Sequence, residues 1–241
     1  MLAGGAYGGA ALLDVEDLTD EERATVPAWF LDAVAQDGPA GVVAATAHWD
    51  HVLPGVLDGA IELFRERAVG IQIGRLSPER GGHVVLIYVL RSDGTKPFVC
   101  WYGYPPTAGL ANPTPASHRP GVRADLTQVS ERLRTFYTQL HNRFELVGFG
   151  HCGLLPLNEL FTLDGAADEY EYEGDDPNQA PDPWYLLPVF TSSNVRLCVE
   201  LGTEHTWNQD DCFLERRGEL WPNLNELIRD VTEEAAEFGQ E

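Results

Sequence analysis

A glycine triplet, a His-Cys pair, two loose His/acid groups and a run of carboxylates are where this sequence could carry chemistry. Gly148, Gly150 and Gly153 follow the apolar run from Phe144 to Val147 with GxGxxG spacing, and Asp168 stands roughly where a ribose-binding acid would be sought. A pyrophosphate site needs a helix opening at the third glycine, because the helix N-terminus supplies the N–H donors. Pro156 lies at the start of that would-be helix and a short strand-like piece follows it, so the dinucleotide reading is rejected. His151 and Cys152 invite a nucleophile reading, since a thiolate beside an imidazole is activated. Adjacent residues in an extended segment point to opposite faces, so a buried Cys152 and a half-exposed His151 are expected. His48 and His51 share a helical face at i, i+3, but two ligands are too few for a metal without Asp50 and a distant partner. His205, Asp210 and Asp211 fall in a polar segment, GTEHTWNQDD, expected to be a loop, and the spacing fits no EF-hand. GxSxG, SxxK, Walker A and HExxH are absent from the sequence. No catalytic residue, cofactor or metal ligand is assigned, and the expectation is a protein that is not an enzyme.

Recognition is the remaining chemistry. From Asp164 to Asp182 the chain holds Asp164, Asp168, Glu169, Glu171, Glu173, Asp175, Asp176 and Asp182 without one basic residue. Lacking aliphatic side chains, this stretch has nothing to bury except Tyr170 and Tyr172, which makes it a solvated loop with two anchors. A second acidic segment brings Glu204, Asp210 and Asp211 beside Trp207. Carboxylates around flat aromatic anchors are the material of charged interfaces. The expected partner-binding set is therefore Asp168, Glu169, Tyr170, Glu171, Tyr172, Glu173, Asp175, Asp176, Glu204, Trp207, Asp210 and Asp211. Trp184, beside Pro183 at a strand start, is assigned to the core.

The formal net charge is −22. Such a field repels nucleic-acid phosphate and anionic membrane surfaces and attracts a basic protein, although the same charge also serves solubility. Cys100, Cys152, Cys198 and Cys212 are scattered singly, as in a reducing compartment, so a cytoplasmic location is expected. The apolar N-terminal stretch has no basic residues before it and acidic ones straight after, unlike a signal peptide, and no apolar run approaches the roughly 20 residues that cross a bilayer.

Several elements must position these groups. Residues 1–13 are Gly/Ala-rich and are taken as a flexible tail, with an edge segment against a sheet as the alternative. Thr19 and Glu22 form a capping-box pattern before a helix that Pro27 splits in two and Asp37-Gly38 ends. A helical region from Ala40 to about Arg67 is interrupted near Pro54-Gly55. Gly70–Arg75, His83–Arg91 and Lys96–Gly103 have strand composition, and Asp93-Gly94 marks a hairpin between the last two. Residues 105–120 are rich in Pro, Ala, Thr and Ser and are placed as a linker or long loop. An N-terminal α+β region over 1–104 and a second domain over 121–241 are expected on either side of it, the first being either a separate module or an elaboration packed on the same sheet.

In the second half, Leu133, Phe136, Tyr137 and Leu140 recur at helical spacing, a Gly-rich loop follows, and Pro156 interrupts the apolar segment GLLPLNELFTL. Strand-like Trp184–Phe190 and Arg196–Leu201 flank a turn at Ser192–Asn194, and a final helix starts at about Asn223 as N-cap, with Glu226 three residues on and fraying expected after about Glu234. This succession, with FYTQLHN in the first helix and LLPLNEL after the loop, resembles the SUKH superfamily, which includes the Smi/Knr cell-wall regulators and many bacterial immunity proteins. The chain departs from that pattern at Asn142-Arg143, where relatives usually carry Asn-Gly, and at Glu200, where they often carry Asp. The resemblance implies an α+β fold with a mixed or antiparallel sheet and packed helices. It also implies an immunity protein that neutralises a cognate toxin by direct binding, a basic nuclease toxin domain being the kind of partner that acidic loops would fit. The alternative it implies is a cytoplasmic Smi/Knr-like regulator or scaffold that binds a cellular protein.

Overall fold

The computed structural model describes residues 9–94, 98–107, 128–148, 152–163, 170–172, 174, 179–192, 195–210 and 213–238, and shows an α+β fold. The N-terminal helices follow local rules. After strand β1 (Ala10–Leu13), helix α1 (Asp20–Thr25) begins with the expected capping box. Thr19 Oγ1 accepts from the Glu22 N–H at 3.2 Å and Glu22 Oε2 accepts from the Thr19 N–H at 2.9 Å. Pro27 cannot continue the ladder and becomes the N-cap of α2 (Ala28–Val34). Gly38, with φ of 55°, turns the chain into α3 (Pro39–Val52), and α4 (Asp58–Arg67) follows the interruption at Pro54-Gly55.

The strands form one sheet. β2 (Ala68–Leu76), β3 (Val84–Arg91) and β4 (Phe98–Gly103) precede α5 (Glu131–Thr135). The chain then adds β5 (Phe144–Leu146), β6 (Cys152–Leu154), β7 (Glu171–Tyr172), β8 (Leu186–Ser192), β9 (Val195–Glu200), β10 (His205–Asp210) and β11 (Phe213–Glu219). Helix α6 (Leu220–Phe238) closes the described chain. The sheet order is β1-β2-β3-β4-β5-β6-β8-β9-β10-β11-β7, antiparallel throughout except for the β11–β7 pair. β4 pairs directly with β5, Trp101 opposite Leu146, so 105–120 divides the sequence but not the sheet. The N-terminal region is thus an extension of the same sheet, and most of 105–120 lies outside the described residues.

Two expectations are corrected here. Ala10–Leu13 is an edge strand, Ala10 opposite Leu76 and Leu13 opposite Ile73, because small side chains let it lie close to Gly74 of β2. The polar segment GTEHTWNQDD holds a strand, β10, paired on both sides.

Strand alternation divides the core. In β3, Leu86, Tyr88 and Leu90 face the helices, whereas Val85, Ile87 and Val89 join Ala10, Leu76, Cys100 and Tyr102 on the other face. At the centre of the helix side, Trp101 stacks on Phe144 (4.8 Å, 16°) and Phe144 stacks on His141 (5.2 Å, 18°). α5 runs on into a π-helical turn over Phe136–Leu140, and the His141 N–H donates to the Phe136 carbonyl at 3.0 Å. The wider turn carries His141 to a fully buried position. Its Nδ1 lies 3.1 Å from the Tyr104 carbonyl, which only accepts, so Nδ1 carries the proton and Nε2 accepts from the Tyr88 hydroxyl at 3.0 Å. Burial pushes the His141 pKa down to about 3.

Helix α6 is tied at both ends. It starts before the expected Asn223, because Pro222 is tolerated in a first turn whose N–H groups lack intrahelical acceptors. Asn223 instead donates to Thr206 Oγ1 at 2.7 Å and the Glu219 carbonyl at 2.9 Å, joining helix to sheet. The expected fraying after Glu234 is also corrected, since the helix runs to Phe238 and the Ser92 hydroxyl donates to the Ala236 carbonyl at 2.7 Å. Asn225 reaches across to α4, accepting from the Ala60 N–H at 2.9 Å and donating to the Val56 carbonyl at 2.9 Å. It thereby caps a helix whose own N-cap residue, Leu57, offers no side-chain acceptor.

Two predictions follow from these contacts. Replacing Asn225 by Ala should cost about 1–2 kcal/mol in urea unfolding, and Asn225→Asp, which keeps the acceptor but sets a carboxylate oxygen against the Val56 and Trp221 carbonyls, should not restore the stability. For His141, the unfolded chain takes up a proton as pH falls below its model value of 6.5, whereas the folded chain does so only near 3. Its contribution is whole above 6.5 and is lost toward 3, with a slope of up to about 1.4 kcal/mol per pH unit. The difference in unfolding free energy between the wild type and His141→Gln should shrink as pH falls from 7 to 5, and a constant difference would refute this assignment.

Candidate partner-binding face

Trp207 organises the C-terminal end of the sheet, from the inside. It is 3% exposed on β10 and packs with Leu163, Leu186, Cys198 and Leu214. Tyr170 and Tyr172 close over this cluster, Tyr172 meeting the Trp207 ring edge-on at 5.8 Å. Trp207 is therefore corrected from surface anchor to core. Tyr172 and, beside it, Tyr170 are anchors in the sense of holding their own segment to the sheet.

The rest follows from strand geometry. β7 pairs in parallel with β11, Glu171 opposite Phe213 and Tyr172 opposite Leu214. Because Tyr172 points to the Trp207 cluster, Glu171 points the other way, and it is exposed. On its other side Phe213 faces Asp210, also exposed. Glu171, Phe213 and Asp210 thus line up across three adjacent strands, with Phe213 39% exposed between two carboxylates.

Glu204 lies at the other end of β10, roughly 20 Å away at the rise of a strand. There it pairs with Arg132 at 3.5 Å, while Glu200 lies 3.9 Å from His205 Nδ1. A short turn, Pro183–Tyr185, abuts this end: Asp182 Oδ1 accepts from the Trp184 N–H at 3.0 Å, and the Tyr185 carbonyl accepts from the Leu201 N–H at 2.7 Å. Trp184 is 36% exposed and Tyr185 51%, so the core assignment of Trp184 is corrected. Of the expected residues, Asp168, Glu169, Glu173, Asp175, Asp176 and Asp211 lie outside the described residues. Sequence reasoning missed Phe213 and Tyr185, for which the available signal was an aromatic directly beside an acidic turn.

The candidate chemistry does not assemble. His205 and Asp210 stand at opposite ends of β10, and Gly153 lies inside β6 instead of opening a helix. Its φ of 143° and the approach of the Phe144 carbonyl leave no room for a Cβ. His48 stacks on Trp29 at 4.7 Å, and burial lowers its pKa. Cys152 is buried, as expected, while His151 lies outside the described residues. Among the described residues, no group of three or more His, Cys, Asp or Glu is placed to hold a metal ion. Comparison with protein-family models, curated proteins and solved structures finds no match to this chain.

The two tryptophans are predicted to behave oppositely. Trp207→Ala should destabilise by about 3–5 kcal/mol through the cavity it leaves, and Trp184→Ala by under about 1 kcal/mol, as read from denaturant midpoints at constant slope.

Proposed function

We propose that this is a non-enzymatic binding protein of the immunity type, which neutralises a basic toxin domain by occupying its functional surface, and that it works in the cytoplasm. The observation that carries the reading is the alignment of Glu171, Phe213 and Asp210 on a rigid sheet, held by the packing of Tyr172 on Trp207. An exposed aromatic gives a partner an apolar anchor, and flanking carboxylates select a cationic one. A net charge of −22 steers the same kind of partner from a distance. A nuclease that must hold phosphate presents such a cationic surface, and Glu171 with its acidic neighbours in sequence would take the place of phosphate there. The SUKH-like order of elements in the second half supports the same class. Among the described residues, no helix is long and apolar enough to cross a membrane.

The test uses the partner captured from the native host, identified and purified. Its affinity should fall with ionic strength, mainly through a slower on-rate. Neutralising Glu171, Glu173, Asp175 and Asp176 together to the amides should flatten that dependence, and affinity indifferent to the fourfold change would remove the acidic segment from the interface.

A further inference from the structure

The row through Phe213 continues past its charged members. Asp210 is opposite Val195 of β9, and Val195 is opposite Ser192 of β8, so Glu171, Phe213, Asp210, Val195 and Ser192 stand side by side across the sheet. They share the helix-bearing face, because Asn208, two residues before Asp210, is opposite Leu197 of the main core. Helix α6 meets β10 at Thr206, where the Asn223 amide donates at 2.7 Å. The far end of the strand is left open, with Asp210 exposed and Phe213 39% exposed beside it.

Among the described residues, neither Glu171 nor Asp210 has a cationic partner, and no guanidinium lies over the Phe213 ring. The next carboxylate on that face of β11, Glu215, is answered by Arg217 Nε at 3.2 Å. Elsewhere the chain shows how a ring and a carboxylate are filled together. Glu145 of β5, its side chain only 10% exposed, accepts at Oε1 from the Arg80 Nη2–H and the Tyr104 hydroxyl, each at 2.7 Å, and Arg143 Nη2 lies 2.8 Å from Oε2. The same Arg143 guanidinium lies over the Tyr104 ring at 5.6 Å, so one guanidinium serves an aromatic ring and a carboxylate at once.

We propose, resting on the reading of this face as partner-binding, that the side chain the row accepts from its partner is an arginine, laid over Phe213 with its edges donating to Glu171 and Asp210. Strand spacing sets those two residues roughly 10 Å apart with the ring between them. A planar guanidinium on the ring points its N–H bonds outward in its own plane, toward both flanks together. A lysine ammonium is a compact, strongly hydrated charge that keeps its water over a phenyl ring and meets one carboxylate at a time. A net charge of −22 draws either cation equally, so the overall field does not discriminate and the ring does.

The experiment titrates the isotopically labelled full chain with N-acetyl-arginine amide, N-acetyl-lysine amide and N-acetyl-citrulline amide, following the Phe213 ring signals and the backbone amides of Glu171 and Asp210. The arginine probe should shift all three saturably in the millimolar range. The lysine probe should bind about 5-fold more weakly, a difference of about 1 kcal/mol, and uncharged citrulline should not bind. Phe213→Leu, which keeps an apolar side chain, should erase the difference between arginine and lysine, whereas Phe213→Tyr should keep it. Glu171→Gln and Asp210→Asn should each weaken the arginine probe about 3-fold. No saturable shift with the arginine probe, equal binding of arginine and lysine, a preference that survives Phe213→Leu, or indifference to both carboxylate changes would each overturn the proposal. An absent arginine preference, while the captured partner still depends on Glu171 and its acidic neighbours, overturns this proposal and leaves the interface standing. The opposite pair of results overturns the interface itself.

Discussion

Three rings stacked in the core, Trp101, Phe144 and His141, join the two halves of the chain into one body. Trp101 comes from before the long connection and the other two from after it, and β4 pairs with β5 beside the stack. Each polar edge of the stack is answered. Trp101 Nε1–H donates to Thr232 on α6 at 3.0 Å, and the two nitrogens of His141 meet one acceptor and one donor. Such an arrangement is demanding, because a buried polar group that loses its partner costs about 1–3 kcal/mol where the made bond gains only about one. A neutral imidazole with its proton on Nδ1 satisfies both sides at once, and a charged one takes the acceptor from the Tyr88 hydroxyl hydrogen and sets a charge in dry surroundings. The π-helical turn before it is the backbone adjustment that brings the ring into line.

From that centre the sheet extends in both directions, and its surfaces differ in how they are finished. At the β11 edge, among the described residues, only Phe213 and Leu214 are covered by a partner strand. Beyond them Arg216, Arg217 and Glu219 are exposed, and charged side chains along a free edge oppose pairing with another sheet. Of the acidic segment, Tyr172 and Tyr170 reach the Trp207 cluster. Two strand pairings and two rings are enough to fix Glu171 in direction, since its neighbour in the strand is buried on the opposite face.

What the sequence made legible was local. The Thr19–Glu22 capping box, the break at Pro27 and the interruption at Gly55 depend on residues a few positions apart, and all three are present. The strands of the first half were legible because Val, Leu and Ile run through them, buried on both faces. β10 was not, because His205-Thr206-Trp207-Asn208-Gln209-Asp210 lacks an aliphatic pattern and is a strand by virtue of its neighbours on either side. The end of α6 depends on Ser92, remote in sequence, which no reading of the helix itself supplies. The two tryptophans of the candidate face were assigned the wrong way round for the same reason. Exposure is a property of what packs on a residue, and Trp207 is covered by Tyr170 and Tyr172, the two rings expected to anchor an otherwise solvated loop. Of the candidate site, the acidic character was legible, whereas the alignment of Glu171 and Asp210 around Phe213 was set by strand register alone.

Register also separates the two charged regions of the molecule. Glu145 sits on β5 and the acidic alignment begins on β10, four strand steps away in the sheet order. At the usual strand spacing that is about 19 Å, roughly twice the Debye length of about 8–10 Å in physiological salt. Over such a distance, exposed carboxylates at Glu171 and Asp210 contribute little to the potential at Arg80 and Arg143. Glu145, Tyr104 and the two guanidinium groups hold one another by contacts of 2.7–2.8 Å, where screening by salt has little effect. A protein with so large an overall charge can therefore keep this network intact, because the network is set by short contacts and the overall charge by side chains in solvent. Salt added to weaken recognition at the acidic face would leave the geometry of the Glu145 network unchanged.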